Sequence, residues 1–179
     1  MAALPPLAAE DHVCPSCDLA YSSLDVAAAV AGIRSVPDAV ASRVTALPGP
    51  ALRRRPEPGV WSVLEYAAHV RDVYATFLIR LHRARTEDHP ALDPMFNDLR
   101  AERLRYNELA PEAVLHELTL AASGFCDEVA DTGEDEWGRG VRRLPGEDRT
   151  ALWLVRQAMH EGVHHVRDIE RVAALVAGA

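Results

Sequence analysis

Apolar residues recur along most of this chain at intervals of three and four, the spacing that lines one face of a helix. One such run extends from Leu24 to Leu47, with Ser23 as its candidate cap. Pro37 lies inside it, so a kink or break is expected near Val36. A second run starts at Ser62, where Glu65 completes a capping-box signature, and continues to about Arg85. Asn97 to Glu108 reads as a short helix. Pro111 suits the first turn of the next helix, which passes through Val114, Leu118, Ala122 and Phe125 to Ala130. A last helix spans about Thr150 to Val176. The Pro48–Gly59 stretch holds four prolines and two glycines and reads as a loop. Asp131 to Asp148 is a polar connection. No alternating β-branched run signals a strand. The expected fold is all-α, a four-helix bundle over residues 23–179, preceded by an arm over residues 1–22 whose Ala/Pro-rich first dozen residues should be mobile.

Composition narrows the function. The chain has 179 residues and a formal net charge of −8, and its densest basic stretch is Arg53-Arg54-Arg55 beside a proline turn. That charge argues against a nucleic-acid partner. No segment approaches the ~20 apolar residues that span a bilayer, so no membrane partner is expected. Met1 to Val13 lacks the basic and apolar regions of a signal peptide, and a cytoplasmic location is expected. All basic residues are arginine, which excludes lysine-based Schiff-base chemistry.

The candidate chemistry lies in the histidines. A lone helical histidine is usually a surface or core residue, but His160 and His164 are four apart and stack on one helix face. With His160 at zero, His164 falls at about 40°, Gln157 at about 60° and Asp168 at about 80°. The pair therefore lies on a polar stripe beside a broad apolar arc. His165 falls inside that arc, where a packed or supporting role is expected. Asp168 could accept a hydrogen bond from a metal-bound imidazole, or pair with Arg167 or Arg171. His69 sits at the edge of the apolar arc of its own helix, placed to reach a cavity between helices.

Cys14-Pro15-Ser16-Cys17 has the spacing of half a zinc site. His12 is a candidate third ligand, with the fourth to come from elsewhere. A redox pair and two ordinary thiols are the alternatives. Cys126, beside Phe125, reads as a core residue.

Val60-Trp61-Ser62-Val63-Leu64-Glu65-Tyr66-Ala67-Ala68-His69 resembles the W-S-hydrophobic-x-E-hydrophobic-x-x-H signature of the DinB-like (DinB/YfiT) superfamily. Met159-His160-Glu161-Gly162-Val163-His164-His165 resembles its C-terminal H-x-x-x-H motif. The resemblance implies a four-helix bundle with a three-histidine site for one divalent metal, zinc or nickel, held by His69, His160 and His164. Mycothiol-dependent maleylpyruvate isomerases and bacillithiol transferases are similar, which implies a mycothiol-type thiol as co-substrate and an electrophile as its acceptor. Three protein ligands leave a coordination position open for chemistry. A metal-dependent hydrolase and a non-catalytic metal-binding protein are the alternatives, and a homodimer is an expected assembly. His160-Glu161-Gly162-Val163-His164 also matches H-E-x-x-H, but the downstream ligand and sheet domain of a metalloprotease are absent from the pattern.

Overall fold

The computed structural model describes residues 6–178. Its four long helices are α1 (Val26–Ala46), α3 (Val63–Thr86), α5 (Pro111–Ala130) and α6 (Ala151–Ala177). Two short helices, α2 (Gly49–Leu52) and α4 (Asn97–Arg103), lie in the connections. A two-stranded antiparallel hairpin, β1 (Gly140–Arg142) and β2 (Asp148–Thr150), leads directly into α6. In cross-section α1 packs on α6 and α5, and α3 packs on α5 and α6. Helices α1 and α3 are thus diagonal, and the connection between them crosses one end of the bundle. Among the described residues no helix is long and apolar enough to cross a membrane.

Local signals explain most boundaries. Ser62 Oγ accepts from the Glu65 amide and the Glu65 carboxylate accepts from the Ser62 amide, closing the expected capping box. Thr150 caps α6 by accepting from the Trp153 amide. Helix α1 is capped by Asp25 rather than Ser23, through a 2.7 Å bond from the Ala28 amide. It also runs through Pro37 without a break. Ile33, Val36, Pro37 and Val40 are all buried there, and their packing outweighs the hydrogen bond that proline removes. The hairpin is a correction to the strand-free expectation: its strands are three residues long, too short to show a period. The α2 turn likewise lies within the segment expected to be loop.

The arm is docked rather than free from residue 7 onward; the expectation for Met1 to Pro5 lies outside the described residues. Leu7 and Ala8 pack against the core. The Ala8 carbonyl accepts from Trp153 Nε1 at 3.1 Å and from Arg149 Nε at 2.5 Å. Glu10 accepts from the Thr150 amide and hydroxyl. Farther along, Arg156 donates to the Leu24 carbonyl and Arg167 to the Ser16 carbonyl. One stripe of α6 therefore carries the arm along most of its length.

Helix α6 approaches α3 closely at Gly162. A Cβ there would lie 2.0 Å from Tyr74 Oη and 3.0 Å from Val36 Cγ2, so only glycine fits. On another face of α3, Asp72 is buried and accepts from Tyr106 Oη and Arg100 Nε, each at 2.5 Å, and from Arg71 Nε at 2.8 Å. The carboxylate ties the segment around α4 to the bundle. Burial would raise its pKa, but these three donors outweigh burial and hold it below the ordinary value.

Two predictions follow from the packing. Gly162→Ala is expected to destabilise the fold by roughly 1–3 kcal/mol through overpacking, despite alanine's better helix propensity. Tyr74→Phe removes the obstructing hydroxyl, which is buried without a hydrogen bond, and should recover part of the loss. A thermal melt of Gly162→Ala at or above wild type would contradict this. For Asp72, the depressed folded-state pKa means that its stabilisation is complete above about pH 3.9 and is lost as pH falls through the folded value. Asp72→Asn should therefore cost about 2 kcal/mol at neutral pH. The difference from wild type should shrink below about pH 4; a constant difference would refute the ion-pair account.

Candidate metal centre

Helix α6 carries the histidine-rich segment in two registers, each of which meets a different neighbour. Glu161 and His165 face α3, where they meet His69; their ligand atoms lie within 4.8 Å of one another. His160 and His164 face the arm, where they form a second cluster of the same tightness with Cys14 and Cys17. The set of His69, His160 and His164 is not gathered into one cluster among the described residues.

In the first cluster, His69 is 1% exposed, and Trp61 meets it edge to face at 5.1 Å between ring centroids. The tryptophan before the Ser62 cap thus packs on the histidine about two turns into the helix. Glu161 Oε2 lies 3.6 Å from His69 Nε2 and 3.3 Å from His165 Nε2. Both ring nitrogens of His69 are buried without a hydrogen bond. On the far side of His165, Nδ1 lies 2.9 Å from Asp168 Oδ2, and Arg171 holds the other Asp168 oxygen at 2.6 Å. Asp168, a candidate partner for a metal-bound imidazole or an arginine, makes its short contacts to His165 and Arg171 and lies 3.5 Å from His164 Nε2. His165, expected in a supporting role, stands among the candidate ligands. Glu161 is the residue that the sequence reading missed. Its signal was the i,i+4 pair Glu161/His165, hidden beside the histidine pair one residue earlier.

The electrostatics are compatible with cation binding. Burial lowers the pKa of His69, opposed in part by Glu161, so its imidazole is neutral at pH 7, as a ligand must be. Burial would raise Glu161, but His165 and His69 outweigh it and hold the carboxylate well below its ordinary value. Burial would lower His165, but the bonds to Asp168 and Glu161 prevail and raise it to about 9. Asp168, which burial alone would raise, is drawn down to about 2 by His165 and Arg171. The cluster therefore concentrates negative charge around the one position that His165 now neutralises with a proton.

His69 and Glu161 line a cavity of about 960 Å³. Its walls are largely apolar, with Val73, Phe77, Phe96 and Trp153 among them, and Arg80 and Arg143 contribute guanidinium groups. Arg80 lies 4.8 Å from the Phe77 ring centroid and donates to the Asp93 carbonyl. Burial, with Arg143 nearby, lowers its pKa to about 10, which leaves it charged at neutral pH.

In the second cluster, Cys14 and Cys17 are free thiols, both buried. Cys14 Sγ lies 3.6 Å from His164 Nδ1. Burial pushes the Cys17 thiol up, although the amide of Leu19 opposes it. Burial lowers His160 to about 4. His12, the expected third ligand beside the cysteines, is not part of the cluster; its ring packs 5.3 Å from Tyr21 and 5.6 Å from His160 between centroids. Cys126 is buried in the core, as its position predicts.

The fold and sequence have known counterparts. The structure resembles YfiT from Bacillus subtilis, described as a probable metal-dependent hydrolase with an unusual four-helix bundle topology, with a TM-score of 0.76 and 18% identity over 85% of this chain and 89% of that one. It also resembles a mycothiol-dependent maleylpyruvate isomerase, with a TM-score of 0.66 and 18% identity over 83% of this chain and 62% of the isomerase. At such identities these likenesses speak to the fold. No curated protein sequence matches the chain significantly. Residues 33–169 match the family model of the DinB superfamily, a span that includes α3, α5 and most of α1 and α6. The chain belongs to the DinB superfamily.

Proposed function

We propose that this protein is a metal-dependent enzyme in which His69, Glu161 and His165 hold one divalent ion at the wall of the cavity, and that it transfers a mycothiol-type thiol to, or with its help isomerises, a small electrophile. The observation that carries the reading is the convergence of three donors from two helices beside a cavity of about 960 Å³. The donor set fits: two imidazoles and a carboxylate form a known catalytic zinc set, and three protein ligands leave a position open. Both ring nitrogens of His69 are buried without a hydrogen bond, and Nε2 faces Glu161 Oε2 at 3.6 Å, which supports the fit. Zinc is the expected metal and nickel the alternative, because both accept nitrogen and oxygen donors. When bound, such an ion stabilises a thiolate at neutral pH.

The remaining roles belong to the chain itself. Asp168 fixes the orientation of His165 through Nδ1. Gln157 Nε2 donates to Glu161 Oε1 at 2.6 Å and keeps that carboxylate aimed between the histidines. The apolar walls at Val73, Phe77 and Trp153 exclude water from the reacting groups. Arg80, at the cavity wall, attracts an anionic group on the electrophile or the thiol. A volume at the upper end of ordinary ligand pockets suits two co-substrates held together. Hydrolysis is the second reading. The two-histidine, one-carboxylate donor set favours it, as does the description of YfiT as a probable metal-dependent hydrolase.

Assays on metal-loaded protein separate the two. Thiol transfer predicts that mycothiol-type thiol is consumed with an electrophile, and that His69→Ala loses at least 100-fold in kcat/KM together with about one metal equivalent. Ester or amide cleavage that needs the metal but no thiol would favour hydrolysis, and full activity in His69→Ala would refute the site. Arg80→Met is expected to raise KM for an anionic electrophile about tenfold with kcat little changed. An unchanged KM would remove Arg80 from substrate binding.

A further inference from the structure

The second cluster is built like a closed metal site, with the ligands coming from two distant parts of the chain. We propose that Cys14, Cys17, His160 and His164 bind a structural zinc ion tetrahedrally and so clamp the N-terminal arm to α6. This assignment does not rest on the one made for the cavity.

The backbone around the cysteines is formed for the purpose. Val13 and Ala20 make an antiparallel bridge. The Cys14 amide donates to the Leu19 carbonyl at 3.0 Å, and the Asp18 amide donates to the Cys14 carbonyl at 2.8 Å. Asp18 adopts the left-handed conformation, with φ 59°, that lets so tight a loop close. Both thiols are thereby turned inward and buried, at 4% and 5% exposure.

Each histidine is held by the nitrogen that faces away from the cysteines. Gln157 Nε2 is committed as a donor to Glu161, so Gln157 Oε1 is an acceptor. It takes the single proton of Tyr21 Oη at 2.5 Å. Tyr21 Oη must then accept from His160 Nδ1 at 2.9 Å, which fixes the Nδ1–H tautomer. The lone pair of His160 therefore sits on Nε2, and this atom is buried without any hydrogen bond. On His164, Nε2 lies 3.5 Å from Asp168 Oδ2, while Nδ1 lies 3.6 Å from Cys14 Sγ. Metal-bound imidazoles carry this kind of polar partner on the opposite nitrogen. A tetrahedral zinc at about 2.3 Å from sulfur and about 2.05 Å from nitrogen places those atoms about 3.6 Å apart. The Cys14–His164 separation already has that value.

Charge and ligand count agree. Two thiolates and two neutral imidazoles neutralise one Zn²⁺, so the buried site carries no net charge, and two thiol protons leave on binding. Four protein ligands leave no open position, which makes the role structural. The two clusters share supports: Asp168 contacts His164 and His165, and the chain His160–Tyr21–Gln157–Glu161 links one to the other.

Cobalt(II), added to the full-length, metal-free protein, tests the proposal. Wild type is expected to develop a thiolate-to-cobalt charge-transfer band and the intense visible bands of tetrahedral cobalt. His69→Ala should show the same bands, saturating at one equivalent per chain. Cys14→Ser with Cys17→Ser should lose the charge-transfer band, while Cys17→His, which keeps a fourth donor, should retain tetrahedral binding with about half the charge-transfer intensity. Absence of the band in wild type would overturn the proposal, so misfolding of a variant cannot hide a failure. Persistence of the band in the double serine variant, or its loss in His69→Ala, would also overturn it. In wild type, chelation should speed amide exchange at Cys14, Asp18 and Tyr21 at least tenfold, and unchanged exchange would contradict the clamp. A cobalt band without thiol-transfer activity would leave the clamp standing and remove only the proposed enzymatic reading.

Discussion

The geometry of both clusters depends on how α6 is seated against α3, and Gly162 sets that seat. With no Cβ at this position, Tyr74 Oη and Val36 can press against the α6 backbone. The contact fixes the rotation of α6 about its axis. Successive residues on a helix are about 100° apart. With the rotation fixed, the pair Glu161/His165 is turned toward α3 and the pair His160/His164 toward the arm. One glycine thus sorts four polar side chains between two neighbours.

The two environments then diverge for physical reasons. The α3-facing cluster sets one carboxylate between two imidazoles and opens on an apolar cavity, an arrangement that can hold a cation while admitting a ligand. The arm-facing cluster is rich in thiols and enclosed by a tight backbone turn. Polar residues between them serve both sides: Gln157 bonds Glu161 and Tyr21, and Asp168 lies against both adjacent histidines. The arm also contributes Leu7 and Ala8 to the cavity wall. Docking of the arm therefore shapes the cavity as well as the cysteine cluster.

Much of the fold was legible because its signals are local. The capping box at Ser62 and the proline at the start of α5 each act within one helical turn. Pro37 misled because its cost is local while the burial that offsets it comes from other helices. The docked arm was illegible for a similar reason: backbone carbonyls at Leu7 and Ala8 receive the bonds from Arg149 and Trp153, and carbonyls leave no mark on sequence. At the site, i,i+4 spacing identified His160 and His164 as partners, and the tandem His164-His165 created a second such pair with Glu161. Spacing within one helix says which residues stack. It does not say which neighbour they face, because that depends on the packing at Gly162.

The central claim is that α6 divides its ligands between two centres. Anomalous diffraction at the zinc edge from crystals of the zinc-loaded protein tests it most directly. The account predicts two peaks, one enclosed by Cys14, Cys17, His160 and His164, and one among His69, Glu161 and His165. A single peak ligated by His69, His160 and His164 would contradict it.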